Sequence, residues 1–330
     1  MDINIENLLS IKSLAELSYK TESYESIYKY LKQYLEKKKI FDVPNQRSSH
    51  SVPVPKGGGW VIFISIIGII LIFDPYDKIP AITAITGLAL LSWLNDLKNI
   101  KVYFRLIFQF IFISIYFFYL YLSGFYEHQQ IIYILIPIFV FIWFINIFNF
   151  MDGIDGISAS MTITICLGII IAYLTSNSDY FPTFEILIIS SCLAFLYWNW
   201  DPAKIFLGDI GSILLGFVCI LSLYWLSLEK NTWHWVISLP MYYVLDTSIT
   251  LIKRLIERKK LWKAHKEHFY QKAVQSGMSH KEVVFSILIL QILVISTCYF
   301  VKNPILAVSL VFIESLGLII YFSSKYKKST

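Results

Sequence analysis

The chain has 330 residues, 56% of them hydrophobic and 17% aromatic, with a mean hydropathy of +0.61. A water-soluble globule could not hide that much apolar surface, and a transmembrane barrel would show alternation over segments of about ten residues, which leaves an all-α, polytopic membrane bundle. The net charge of +5 sits in clusters between apolar runs, and nothing in it calls for a nucleic-acid partner.

Residues 1–57 come first and are polar. From Tyr24 onward, Tyr24, Ile27, Tyr28, Leu31, Tyr34 and Leu35 recur at helical spacing with Lys29, Lys32 and Lys37 to Lys39 between them. That pattern predicts an amphipathic helix, either lying on an anionic leaflet or solvated as a leader. The first residues lack the basic, apolar and small-residue succession of a cleaved signal peptide. Ten apolar segments are then expected, at roughly 59–73, 79–94, 103–123, 131–149, 158–175, 184–199, 210–228, 233–253, 283–301 and 304–323, each long enough to approach or span a bilayer core. Asp246 interrupts the eighth. Residues 58–330 would form the membrane-embedded domain, with 254–282 its longest loop. The four cysteines all lie inside apolar segments without metal-like spacing and read as small core residues.

If the segments alternate in direction, one face receives all but Lys78, Lys230 and Lys302 of the 28 Lys and Arg residues. By the positive-inside rule that face is cytoplasmic. The polar clusters fall on the same face: Arg47 to His50, Lys56 to Gly59, Asn95-Asp96, Asn149 to Asp155, Trp198 to Ser212 and His265 to Gln271. Asp152 and Asp155 are three apart and would project from one face of a helix, with Gly153 and Gly156 allowing a close backbone approach. Two carboxylates there suit an oxygen-liganded cation such as Mg2+, or hydrogen-bond acceptors for a nucleoside. Asp209 lies at the mouth of the seventh segment, where a metal and a phosphate could meet backbone amides. Phe206 could stack on a base or anchor at the membrane interface. Asp96 with Lys98, Lys101 and Arg105 combines acid and cation as phosphoryl transfer requires. His265 and His268, three apart among lysines, favour hydrogen bonds to phosphate over a zinc site, since no third ligand stands at metal spacing.

Four stretches, Phe41–Gly59, Asn146–Ser158, Trp198–Gly216 and Ala264–Val283, resemble in order the motifs of the polyprenyl-phosphate N-acetylhexosamine-1-phosphate transferases, glycosyltransferase family 4. The His265-x-x-His268-x-Tyr270-Gln271 form looks more like the O-antigen-initiating branch than the branch that makes the first lipid intermediate of peptidoglycan. The resemblance implies an enzyme of the bacterial cytoplasmic membrane. It would transfer a sugar 1-phosphate from a UDP-amino sugar to a polyprenyl phosphate, with Mg2+ or Mn2+ as cofactor and a homodimer as one allowed assembly. It further implies that Asp209 ligates the metal, with Asp152 a second candidate. Asp155 and Phe206 would help hold the uracil, Asn149 and Asp152 would line the nucleotide pocket, and Asp96 would stand by the lipid phosphate. His265 and His268 would touch phosphate or sugar, and Lys56 and Gly58 belong to the first motif, near the substrate with Arg105.

Two departures stand out. Asn95-Asp96 occupies the place of the family's paired aspartates, and residues 1–40 are too polar for the family's first transmembrane helix, so the amphipathic helix would replace it. An ion-coupled transporter is the rival from another class, though Asp96, Asp152, Asp155 and Asp209 all fall at segment ends and only Asp246 lies deeper. A catalytically impaired scaffold of a glycan-assembly complex is the third reading, motivated by Asn95 and the missing helix.

Overall fold

The computed structural model describes residues 28–42, 52–73, 78–98, 100–125, 132–176, 178–261 and 265–329. Tyr24 and Ile27 of the leader, Arg47 to His50 and Ala264 lie outside these residues. The first described helix, α1, covers 28–37. Its apolar edge turns into the protein, with Tyr28 and Leu35 buried and the Tyr28 ring 5.5 Å from Phe195, while Tyr30 and Tyr34 are exposed. The helix therefore spends part of the stripe expected to face a leaflet on packing against the bundle.

Two short strands follow, β1 (Phe41–Asp42) and β2 (Val54–Pro55), paired antiparallel with Phe41 opposite Pro55. Beyond β2 the chain is stitched to a distant turn. Phe206 N–H donates to Pro55 O at 2.8 Å, Gly57 and Gly58 N–H donate to Phe206 O at 3.1 and 2.9 Å, and Gly59 N–H donates to Leu207 O at 2.9 Å. This ladder is what places Lys56.

The bundle comprises α2 (Gly59–Phe73), α3 (Lys78–Lys98), α4 (Val102–Leu122), α5 (Ile132–Met151), α6 (Ile157–Thr175), α7 (Thr183–Asn199) and α8 (Gly208–Ser227). It continues with α9 (Trp233–Ser238), α10 (Met241–Ile256), α11 (Phe269–Gln275), α12 (His280–Phe300) and α13 (Pro304–Ser329). Seven of these are long and apolar enough to cross a membrane, and Gly59–Ile72 and Thr183–Asn199 are shorter apolar helices. The expected all-α polytopic bundle is thus present. One expected segment is broken: 233–253 divides at Leu239-Pro240 into α9 and α10, because proline lacks the amide hydrogen and its ring collides with the preceding turn.

Helix α8 is the axis. In its apolar window 83% of residues are buried, against 28% in α4, and it packs on α2, α3, α5 and α6. Helix α4 presents Phe104, Ile107, Phe108, Ile111, Ile115 and Phe118 outward, the surface a bilayer would cover. In lipid, helices gain little from excluding water and associate through close packing, so small residues mark the tightest crossings. A Cβ at Gly59 would fall on the backbone N and Cα of Gly211, where α2 crosses α8. Alanine is the better helix former by about 1 kcal/mol, but backbone cannot yield as a side chain can. Gly59→Ala is therefore expected to destabilise the protein by roughly 1–3 kcal/mol, read as a lowered melting temperature in detergent. Unchanged melting would show that the crossing has slack.

Candidate active site

The helix ends bring the polar clusters together at one end of the bundle, around a cavity of about 870 Å³. Its first corner is built on the start of α8. Gly208 holds φ +76°, a left-handed conformation that a side chain resists, and the turn it makes exposes the first amides of the helix. Asp96, from the end of α3, accepts from Asp209 N–H at 3.2 Å and Ile210 N–H at 3.4 Å, and its Oδ1 lies 2.6 Å from Lys56 Nζ. Asp96 is thus an anionic cap supplied to α8 by another helix. Asp209 itself is partly open to the cavity. Its Oδ2 accepts from the Asn95 amide at 2.5 Å and lies 3.6 Å from Arg105 Nη1. Burial disfavours the Lys56 ammonium, but the charges of Asp209 and Asp96 outweigh it and hold the lysine above its ordinary range, so it stays cationic at neutral pH.

The second corner is the turn between α5 and α6. Helix α5 ends at Met151, so Asp152 and Asp155 occupy an irregular turn and do not share a helix face as their spacing suggested. Both still reach the cavity. Asp152 Oδ1 accepts from Ser158 Oγ at 2.7 Å. Although Asp152 opens onto the cavity, it lies deep in the protein, and that burial pushes its carboxyl up to about 7; the Ser158 hydroxyl only partly offsets the effect. Asp155 accepts from Ala203 N–H at 2.9 Å, and Asn149 Oδ1 from Ser212 Oγ at 2.8 Å. Asn199 braces the turn, accepting from Gly156 N–H and donating to Ile205 O, each at 2.9 Å. Gly153 is required by a close approach, since a Cβ there would strike the Tyr270 hydroxyl. That hydroxyl donates to Phe150 O at 3.1 Å.

The third corner is the segment before α11. The His265 and His268 rings stack with centroids 5.0 Å apart. Burial, with His268 and Arg254 nearby, pulls His265 down to about 4, so it is neutral at physiological pH. Opposite the polar groups, Leu106 on α4 and Phe139, Ile142 and Trp143 on α5 form an apolar wall.

Of the expected residues, Lys56, Arg105, Asn149, Asp152, Asp155, Phe206, Asp209, His265 and His268 all line this cavity. Asp96 stands behind it, beneath Lys56 and the start of α8. Gly58 also stands behind it, with its N–H on Phe206 O and its Cα against the Phe195 ring. Asn199 and His280 line the cavity without having been given a role, and Gln271, named only within its motif, lines it too. The signal for His280 is its place beside a capping box, in which Ser279 Oγ accepts from Glu282 N–H and Glu282 accepts from Ser279 N–H, so that α12 begins at the cavity.

The fit to a divalent cation can be judged from the donor set. Asp209 offers a hard carboxylate oxygen partly open to the cavity, which suits Mg2+ held by one or two carboxylates and completed by substrate phosphates. Asp155, Asp201 and His280 also place ligand atoms within 4.8 Å of one another. Their polar atoms are already engaged: Asp155 accepts from Ala203, Asp201 Oδ2 from Lys281 N–H at 3.3 Å, and His280 Nδ1 from Asp155 N–H at 3.3 Å. Those bonds act as a latch between two turns and the start of α12.

Fold and cavity define a polytopic membrane protein with a polar chamber edged by acids, cations and imidazoles beside an apolar wall. Residues 79–227 match the family described as glycosyl transferase family 4. A Bacillus subtilis protein named "Probable undecaprenyl-phosphate N-acetylglucosaminyl 1-phosphate transferase" is 31% identical over 147 residues, covering 43% of this chain and 40% of that one. A Streptococcus equi phospho-N-acetylmuramoyl-pentapeptide-transferase is 34% identical over 131 residues, 39% of this chain and 38% of its own. A Mycobacterium leprae decaprenyl-phosphate N-acetylglucosaminephosphotransferase is 25% identical over 176 residues, 47% and 44%. The matched region spans about two fifths of the length of these relatives.

Proposed function

We propose that the protein transfers a sugar 1-phosphate from a UDP-N-acetylamino sugar to a polyprenyl phosphate, undecaprenyl phosphate foremost. The site would face the cytoplasm at the bacterial inner membrane, and the reaction would begin a lipid-linked envelope glycan of the O-antigen kind. The observation that carries this reading is the convergence of Lys56, Arg105, Asp209, the Asp152–Asp155 turn and His268 on one cavity that also has an apolar wall. A water-borne diphosphate and a lipid-borne phosphate could meet there.

In this reaction an oxygen of the lipid phosphate attacks the β-phosphorus of the donor. The bond from that phosphorus to the bridging oxygen breaks, and UMP leaves with the electron pair. The nucleophile is already anionic, so the work lies in neutralising and aligning phosphates more than in removing a proton. Lys56 and Arg105 supply cationic donors. Phe206 offers a face for uracil, with Asp155, Asn149 and Asp152 lining the nucleotide side, and His265 and His268 address phosphate or sugar. A Mg2+ ion, held by Asp209, would screen the diphosphate charge. The names of the Bacillus and Mycobacterium relatives favour UDP-GlcNAc as the first donor to try.

Purified protein given undecaprenyl phosphate, Mg2+ and a panel of UDP-amino sugars is expected to release UMP with at least one donor. No release with any of them would sink the transferase reading and leave the transporter and the scaffold. The Asn95 amide donates to Asp209, so Asn95→Asp replaces a hydrogen bond with two facing carboxylates. The variant is expected to melt at lower temperature in EDTA and to gain more from added Mg2+ than the parent, because a divalent cation relieves the new repulsion. An equal Mg2+ response in both proteins would count against a cation at Asp209.

A further inference from the structure

The roles above leave out the most deeply buried carboxylate near the cavity. Asp246, on α10, is fully buried. Its Oδ1 faces His268 Nδ1 at 3.0 Å, accepts from Phe269 N–H at 3.1 Å and lies 3.5 Å from Thr250 Oγ1. Its Oδ2 accepts from Tyr270 N–H at 3.1 Å and Tyr242 OH at 3.2 Å. Among the described residues no lysine or arginine pairs with it. A buried carboxylate is costly unless its lone pairs are met, and here they are met entirely by one helix and the segment that carries the histidines.

Two of those bonds cap α11, whose own N-cap residue, His268, makes no side-chain cap. Asparagine could accept only one of those two amides, since they fall on different oxygens and its Nδ2 donates. The bond to His268 is different, because it selects which ring nitrogen carries hydrogen. The His268 ring is held between His265 and Tyr270, with centroids at 5.0 and 5.8 Å, and stands 6.4 Å from Phe150. The ring cannot turn freely, its Nδ1 is committed to Asp246, and Nε2 is the nitrogen left for the cavity that His268 lines.

We infer that Asp246 is the positioning residue of His268: it accepts from Nδ1–H, keeps the hydrogen on that nitrogen, and so turns Nε2 toward the phosphates of the donor. The inference rests on the transferase reading for what occupies the cavity, but not for the state of the ring. The titratable groups facing His268 are Asp246 and Tyr242 from α10, His265, Glu267 and Tyr270 from its own segment, and Arg254, whose charge Glu267 engages. Helix α5 contributes only the Phe150 ring. Asp246 is the carboxylate in direct contact, so its removal takes away the anionic acceptor that holds the Nδ1 hydrogen.

The test begins with ¹⁵N-histidine-labelled protein in detergent, with the His268 resonances assigned by their loss in His268→Gln. In the unaltered protein Nδ1 is expected to be protonated at every pH at which the protein stays folded; a bare Nδ1 would overturn the proposal without any variant. In Asp246→Asn the Nδ1–H proton resonance of His268 is expected to move upfield, because its acceptor is no longer an anion, and an unmoved resonance would also overturn it. Tyr242→Phe removes a neutral donor to the same carboxylate and is expected to leave that resonance in place. In the UMP assay, Asp246→Asn should lose about 10- to 100-fold in kcat, with little added loss when combined with His268→Gln. A loss additive with His268→Gln would show a merely structural role. A ring that behaves as expected in a protein releasing no UMP would sink the transferase reading and leave the pair standing. UMP release with an unmoved resonance would do the reverse.

Discussion

Asp209→Asn is expected to reduce UMP release by at least about 10²–10³-fold while the protein stays folded, the scale at which losing one preorganised electrostatic group is felt in a water-poor site. The exchange keeps shape and removes charge. Asp209 sits where Asn95 and Arg105 converge, at the first turn of α8, and it is partly open to the cavity. The amide can still accept from Asn95, and Arg105 retains access to solvent, so the structural penalty is that of a partly exposed pair and small. What disappears is the one carboxylate at this corner that faces the cavity. Mg2+ should then no longer raise the melting temperature. Near-normal turnover, or an unchanged Mg2+ shift, would remove Asp209 from the metal role.

Lys56→Met is expected to show the second-largest effect and to divide between stability and turnover. Lys56 is held by the ladder from Pro55 to Leu207, and its ammonium lies 2.6 Å from Asp96, a carboxylate almost wholly withdrawn from water. Removing the cation leaves Asp96 with only the two amides at the start of α8. Breaking a fully buried pair costs about 3–5 kcal/mol; the lysine side chain is 27% exposed, so roughly 1–3 kcal/mol is expected here, read as a lowered melting temperature. Turnover should fall about tenfold or more at saturating Mg2+, with the KM for the sugar nucleotide raised, because an anion-neutralising group is gone. Lys56→Arg should recover most of the stability and only part of the turnover, since a planar fork cannot occupy the place of a compact ammonium. Full stability in Lys56→Met would show that the amides alone suffice for Asp96.

Corrections to the sequence reading have local causes. Asp152 and Asp155 share the cavity although the helix that would have aligned them ends at Met151, and Gly153 and Gly156 make the turn that does the aligning instead. The eighth apolar segment reads as continuous by hydropathy, yet Pro240 divides it, and the break gives α10 the start from which Asp246 reaches His268. Asn95 looked like a lost carboxylate and is, in place, a hydrogen-bond donor to Asp209.

By itself the sequence determined the helical bundle, the approximate place of most of its segments, and the gathering of polar motifs at alternate ends, because hydropathy and charge along a chain report directly on what each local stretch can bury. It also supplied nine of the side chains that line the cavity. Which group answers which was decided only by the tertiary structure. Asp96 caps a helix more than a hundred residues away, Asp155 receives Ala203, and Asp246 holds His268. Each of those bonds joins elements whose local patterns carry no record of one another, and each exists because the packing of the bundle brings their ends within hydrogen-bond distance.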